Sequence, residues 1–335
     1  MAAKNQSREN DYLYLSGRIH AMENRLLTRE RMERMLDART AAEAAKVLAE
    51  CGYEEIDALT PASLEHSLRA QRVALFHELS SAVPDPRLID VFRIPYDYHN
   101  AKVLLKSEAM GQSPDRLLVD AGRYGAEWLK RHYTEGQLDG CSPVFCKAVA
   151  EAKDCLGRTG DPQRADMRLD EAQYQELTAA AEESGSPFLQ GYVRLSIDRA
   201  NLRSTVRAAR MGQDAGFLDA VLLPGGRIQR EKLKAAALGA GDLAALFRGT
   251  ELEEAAEAGA QVMQEGSMTR FEKLCDDGVT HYLMQGKKVA FGEHPVIGYL
   301  YAREAELTTI RIILTGKMAG LDQETIRERL RESYV

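Results

Sequence analysis

The residues with the most obvious chemistry are five cysteines and seven histidines, and their spacing argues against a site. Cys141 and Cys146 are followed by Cys155, while Cys51 and Cys275 lie far away. Zinc asks for four ligands, usually in paired Cys or Cys/His spacing. Cys146 and Cys155 instead fall on an amphipathic helical pattern, where a thiol packs as a small apolar group. His20, His66, His77, His99, His132, His281 and His294 form no local pair, and His77-Glu78 lacks the second histidine of a helical zinc motif. Gly239, Gly241 and Ala244 match a Gly-x-Gly-x-x-Ala pattern. That pattern binds a dinucleotide only between a strand and a helix. Here it lies between helical segments, so Gly241 and Asp242 read as a turn and a cap. The chain has no Gly-x-x-x-x-Gly-Lys-Ser/Thr phosphate loop and no Gly-x-Ser-x-Gly elbow. Carboxylate pairs such as Glu253-Glu254 are unavoidable with 51 acids and read as a solvated face; lone Trp128 reads as packing. No catalytic residue, cofactor or metal is expected.

Composition narrows the class further. The 335 residues are 44% hydrophobic and 28% charged, as in a globular protein large enough for two or three structural units. Aromatics are only 7%, and Ala-, Glu- and Arg-rich stretches favour helices. The net charge of −7 argues against a nucleic-acid binder, which needs a dense basic face. An odd, scattered cysteine set reads as a reduced cytosolic protein. No run of 18 apolar residues is present, so no direct transmembrane insertion is expected. Met1 to Asn10 is polar and lacks the apolar core of a signal peptide.

The elements that would position any functional group are helices. Tyr12, Leu15, Ile19, Met22 and Leu26 recur at intervals of three and four, one apolar helical face. Thr40 with Glu43 forms a capping box, and Thr60-Pro61, Ser113-Pro114 and Ser142-Pro143 are cap-plus-proline starts. No convincing alternating strand appears. The fold class is all-α.

The most informative pattern is internal repetition. Asp97 to Gly111 aligns without a gap on Asp198 to Gly212. Asp97 matches Asp198, Asn100 matches Asn201, Lys102 matches Arg203, Lys106 matches Arg207, and Gly111 matches Gly212. A weaker copy keeps Glu306, Arg311 and Gly320, with Thr309 and Thr315 replacing the Asn and the second base. A second echo relates Leu26-Leu27 and the helices after it to Leu222-Leu223 and theirs. The repeats divide the chain into units 1–111, 112–212 and 213–320, with a tail at 321–335. The polar positions allow two readings. Asp and Asn make inter-helix hydrogen bonds with the bases solvated, or equivalent helices present polar groups around a pseudo-threefold axis.

Beyond its repeats, the sequence resembles the C subunit family of bacterial and archaeal V/A-type rotary ATPases, related to the d subunit of eukaryotic V-ATPases. The resemblance runs from about Tyr12 to Gly320. It rests on Tyr14 to Met22, Ile94 to Asn100 with Lys102 to Lys106, Asp120 to Tyr124, Phe188 to Arg203, and Glu304 to Gly320. It implies three similar helical domains forming a funnel with pseudo-threefold symmetry. It also implies a seat on the cytoplasmic face of the membrane rotor ring and a cavity receiving the central shaft. Members of that family are mechanical adapters rather than enzymes. On that reading Lys102, Arg203 and Arg311 lie near the axis and help hold the shaft. The other outcome places them on the outer wall, or in structural pairs, which the i, i+5 spacing to Asp97, Asp198 and Glu306 directs to neighbouring helices. A free-standing α-solenoid scaffold for helical or peptide partners is the alternative; a solenoid leaves a long groove, whereas a funnel closes on itself.

Overall fold

The computed structural model describes residues 11–56 and 58–334. Those residues are all-α, with no strand among them. In chain order the helices are α1 (Leu13–Glu23), α2 (Arg29–Asp37), α3 (Ala41–Lys46), α4 (Pro61–Ser80), α5 (Arg87–Met110), α6 (Ala126–Glu135), α7 (Pro143–Thr159) and α8 (Pro162–Ser184). They continue as α9 (Pro187–Arg210), α10 (Ala215–Val221), α11 (Arg230–Ala237), α12 (Leu243–Leu246), α13 (Glu253–Gln264), α14 (Met268–Met284), α15 (Glu293–Met318) and α16 (Gln323–Arg327).

Most boundaries follow from local chemistry. Thr40, Thr60, Ser142 and Asp242 each accept a backbone N–H of the first turn they precede. Ser113-Pro114 behaves differently from its sequence signal. A single turn forms there, with Leu117 N donating to Pro114 O at 2.8 Å. The chain then returns to α5, because Val119 is held by Asn100; that tertiary pairing overrides the start signal.

The three long helices α5, α9 and α15 carry the repeated residues, and all three stop alike. Gly111, Gly212 and Gly320 have φ of 63°, 63° and 72°. The N–H one residue further on closes back onto the carbonyls of Ser107, Ala208 and Gly316 at 2.9, 2.9 and 3.0 Å. Left-handed geometry is cheap for glycine, and the back-bond satisfies a carbonyl that the helix end would otherwise leave open.

Each long helix is flanked by a partner helix: α5 by α8, α9 by α14, and α15 by α4. The last pairing joins the end of the chain to its start. Leu27, Met35, Leu48, Leu64 and Leu68 form one apolar cluster with Leu307, Ile310, Ile313, Leu314 and Ile326. In a linear solenoid each repeat touches only its neighbours; here α15 packs against α1, α3, α4 and α5 as well as α14. Aromatic rings join the long helices to one another. Phe92 of α5 stacks on Tyr192 of α9 with centroids 5.4 Å apart, and Tyr192 meets the edge of Tyr301 of α15 at 6.4 Å.

Candidate functional site

The repeated acid and amide are structural groups turned onto the chain's own loops rather than onto other helices. Asp97 is fully buried; it accepts from Arg123 Nε at 2.7 Å and from Tyr124 N at 3.2 Å. Asp198 accepts from the backbone N–H groups of Arg227 and Ile228 at 3.1 and 3.2 Å. Glu306 accepts from Leu27 N and Tyr53 Oη, both at 2.6 Å, and from Arg303. The third copy therefore finds its loop at the start of the chain. Asn100 and Asn201 do the same work in both directions. Each side-chain amide donates to a carbonyl (Val119, Leu223) at 2.8 Å and accepts from that residue's N–H at 2.9 and 2.7 Å. A buried amide imitating a backbone pair leaves no polar atom unsatisfied. Gly122 and Gly226 allow this approach, since a Cβ at either would overlap the Asp97 or Asp198 carboxylate. Their signal was present in the sequence: Gly122-Arg123-Tyr124 and Gly226-Arg227-Ile228 share a Gly-Arg start.

The repeated bases form ion pairs across the helix pairs. Lys102 meets Asp170 of α8 at 2.5 Å, Arg203 meets Asp276 of α14 at 2.8 Å, and Arg311 meets Glu65 of α4 at 2.5 Å. One helical turn on, Lys106 pairs with Asp166 and Arg207 with Glu272. The third copy has lost this second rung on both sides. Thr315 stands where the base would be, and Pro61, four residues before Glu65, where the acid would be. The rungs are part-exposed, so each contributes about 0–1 kcal/mol to stability.

The bases thus line helix seams, and one seam opens into a recess. Asp170, Tyr174, Arg199, Arg203 and Arg207 border an open pocket of about 210 Å³ between α8 and α9. Two of its arginines also meet Asp276 of α14, which accepts from Arg199 at 3.1 Å, Arg203 at 2.8 Å and Arg331 at 2.7 Å. Three guanidiniums on one carboxylate leave net positive charge there. A second polar joint ties α4 and α5 to α15: Arg72 Nε and Tyr96 Oη both donate to Glu304, at 2.9 and 2.8 Å. The aromatics that join the long helices, Asp276 and Glu304 were not singled out from the sequence. Phe92 and Tyr301 were findable, since both lie five residues before the repeated acid.

The repeated acids and Asp276 are shifted in opposite directions. Burial pushes the Asp97 carboxyl up to about 6, against the pull of Arg123 and the loop N–H. Burial also raises Asp198 and Glu306. Burial alone would raise Asp276 too, but Arg199, Arg203 and Arg331 outweigh it and hold it below the usual carboxylate range. The linkage signs differ accordingly. The Asp97 contribution is present below the unfolded value of about 3.9 and is lost as pH rises through about 6. That of Asp276 is present above about 3.9 and is lost as pH falls through its depressed folded value. Carboxyl ¹³C NMR titration is expected to show Asp97 inflecting near 6 while Asp276 titrates below the usual carboxylate range. An Asp97 signal flat between about pH 5 and about pH 7 would contradict this.

Among the described residues no three His, Cys, Asp or Glu side chains converge as a metal site. No helix there is long and apolar enough to cross a membrane. The class defined by this geometry is an all-α protein built on three long helices, each stapled to a loop by a buried acid and to a partner helix by ion pairs. Residues 15–329 match the family model described as ATP synthase (C/AC39) subunit, and the chain belongs to that family. It is 25% identical to the C subunit of the V-type sodium ATPase of Enterococcus hirae, over 97% of this chain and 99% of that one. It is 26% identical to the C subunit of the A-type ATP synthase of Methanocaldococcus jannaschii, over 95% and 86% respectively. It is 24% identical to the C subunit of the V-type ATP synthase of Thermus thermophilus, over 96% and 98%. The chain is thus a component of a V/A-type ATPase complex.

Proposed function

We propose that this chain is a non-catalytic central-stalk adapter, coupling the central shaft to the membrane rotor ring during proton or sodium transport. Its place is peripheral, on the cytoplasmic face of the membrane. Its three long helices and their partners stand around a pseudo-threefold axis as a funnel, built from the repeat units 1–111, 112–212 and 213–320 with the tail 321–335. The observation that carries this reading is the joining of the chain's end to its start: α15 packs on α1, α3, α4 and α5, as a closed body requires and a linear scaffold does not. The ring contacts from Phe92 through Tyr192 to Tyr301 support a common axis for the long helices. Torque passes by contact, so stiffness and surface charge do the work. Lys102, Arg203 and Arg311, part-exposed and beside the acids of their partner helices, steer and register a polar shaft.

The experiment is co-purification. A tagged chain expressed in its own cell is expected to bring down shaft and ring proteins from detergent-solubilised membranes in fixed proportion. Recovery as a free soluble monomer, with the assembled complex present but lacking the tag, would reject the proposal.

A further inference from the structure

The last residues of the chain are packed in a way that adapter function by itself does not explain. After α16 the backbone leaves helical geometry, yet Leu330 and Tyr334 are buried. Arg331 Nε donates to Asp276 Oδ2 at 2.7 Å. The next N–H, of Glu332, donates to Asp277 Oδ1 at 2.7 Å, and the Glu332 carboxylate pairs with His281. Lys287 donates to the Tyr334 carbonyl and sits 4.3 Å from the centre of its ring. Tyr334 lies on Gly298 of α15, where a Cβ would overlap its hydroxyl. Asp276, Asp277 and His281 belong to α14, and Gly298 to α15. The segment therefore runs along the seam between these two helices.

That seam also has a longer linker than its counterpart. The corresponding junction of α8 and α9 is made by residues 185 and 186 alone. α14 and α15 are separated by residues 285–292 and stand further apart in the chain. The terminal segment also roofs a small pocket over Glu306, lined by Leu26, Leu27, Ala302, Ala305 and Thr309 with Glu332 to Tyr334. One short stretch thus binds the half-buried Asp276 and lines the pocket that Glu306 also lines. These anchors involve a side chain on at least one side, with no continuous backbone ladder, and such contacts open at low cost.

We propose that Arg331 to Tyr334 form a C-terminal strap that locks α14 to α15 and, through Arg331, keeps Asp276, Arg199 and Arg203 in register. Docked, the strap stiffens the face that meets the shaft. Undocked, it leaves Asp276 with two arginines instead of three and loosens that face. The effect on grip rests on the proposed adapter function; the lock itself does not.

The test uses the full chain, a truncation lacking residues 331–335, and Gly298→Ala, which displaces the Tyr334 ring while keeping every strap residue. Hydrogen exchange by mass spectrometry is expected to speed up about tenfold in the second half of α14 and the first half of α15 in both variants, with α5 and α8 unchanged. Binding to purified shaft proteins is expected to dissociate several-fold faster. Unchanged exchange in α14 and α15 overturns the strap. Faster exchange with unaltered shaft dissociation overturns its control of grip. Failure of the full chain to bind the shaft at all counts against the adapter function, while the exchange data still decide the lock.

Discussion

Asp97→Ala is expected to cost about 3–5 kcal/mol of stability, as for one partner removed from a buried ion pair. The carboxylate is fully buried and holds both the Arg123 guanidinium and the Tyr124 N–H. Its removal leaves a partly buried cation with only Glu176 to balance it, at 2.6 Å, and a loop N–H without its acceptor. Asp198→Asn should be milder, about 1 kcal/mol. The Asp198 partners are backbone N–H groups, and a neutral amide oxygen can still accept from one of them. Gly226→Ala attacks the same joint from the other side, because its new methyl must push the loop off Asp198. Thermal unfolding followed by circular dichroism, with calorimetry to detect separate transitions, measures all three. An Asp97→Ala protein that melts with the parent would show that the loop staple carries no stability. The order Asp97→Ala worse than Asp198→Asn distinguishes a buried ion pair from a backbone cap.

Charge reversal of the repeated bases is expected to have the largest effect on binding. Lys102→Glu, Arg203→Glu and Arg311→Glu each place like charges beside Asp170, Asp276 or Glu65. Because Lys102 and Asp170 are part-exposed, reversal there should cost only about 1 kcal/mol of stability. If these bases also meet the shaft, each reversal is expected to weaken shaft affinity about tenfold or more, with a steep dependence on salt. The informative control is an exchanged pair, Lys102→Asp with Asp170→Lys. It rebuilds the rung between α5 and α8 but moves the positive charge to the other helix. Affinity that stays low in the exchanged pair supports a direct contact with the shaft. Affinity restored by the exchange means the base serves only the helix pair, and affinity unchanged in all three reversals removes these charges from the shaft socket.

What the sequence determined by itself was local or repeated. Helix class, the caps at Thr40, Thr60 and Ser142, and the left-handed stops at Gly111, Gly212 and Gly320 depend on neighbouring residues alone, so they are legible without a fold. The equivalence of Asp97 with Asp198 and of Lys102 with Arg203 was legible because the chain repeats itself. Ser113-Pro114 shows the limit: a sound start signal yielded to the pull of Asn100 on Val119. The partners of the repeated residues were decided only in three dimensions. Lys102 finds Asp170 across 68 residues, Arg203 finds Asp276 across 73, and Arg311 finds Glu65 backwards across 246. No propensity or period encodes such choices, since they depend on the register in which one helix lies against another. The joint loss of base and acid at Thr315 and Pro61 becomes visible only once α15 is known to lie on α4. The same holds for the end of the chain, where a polar sequence offers no sign that Tyr334 is buried. Its burial follows from contacts with Gly298 of α15 and with Lys287, which only the folded chain brings beside it.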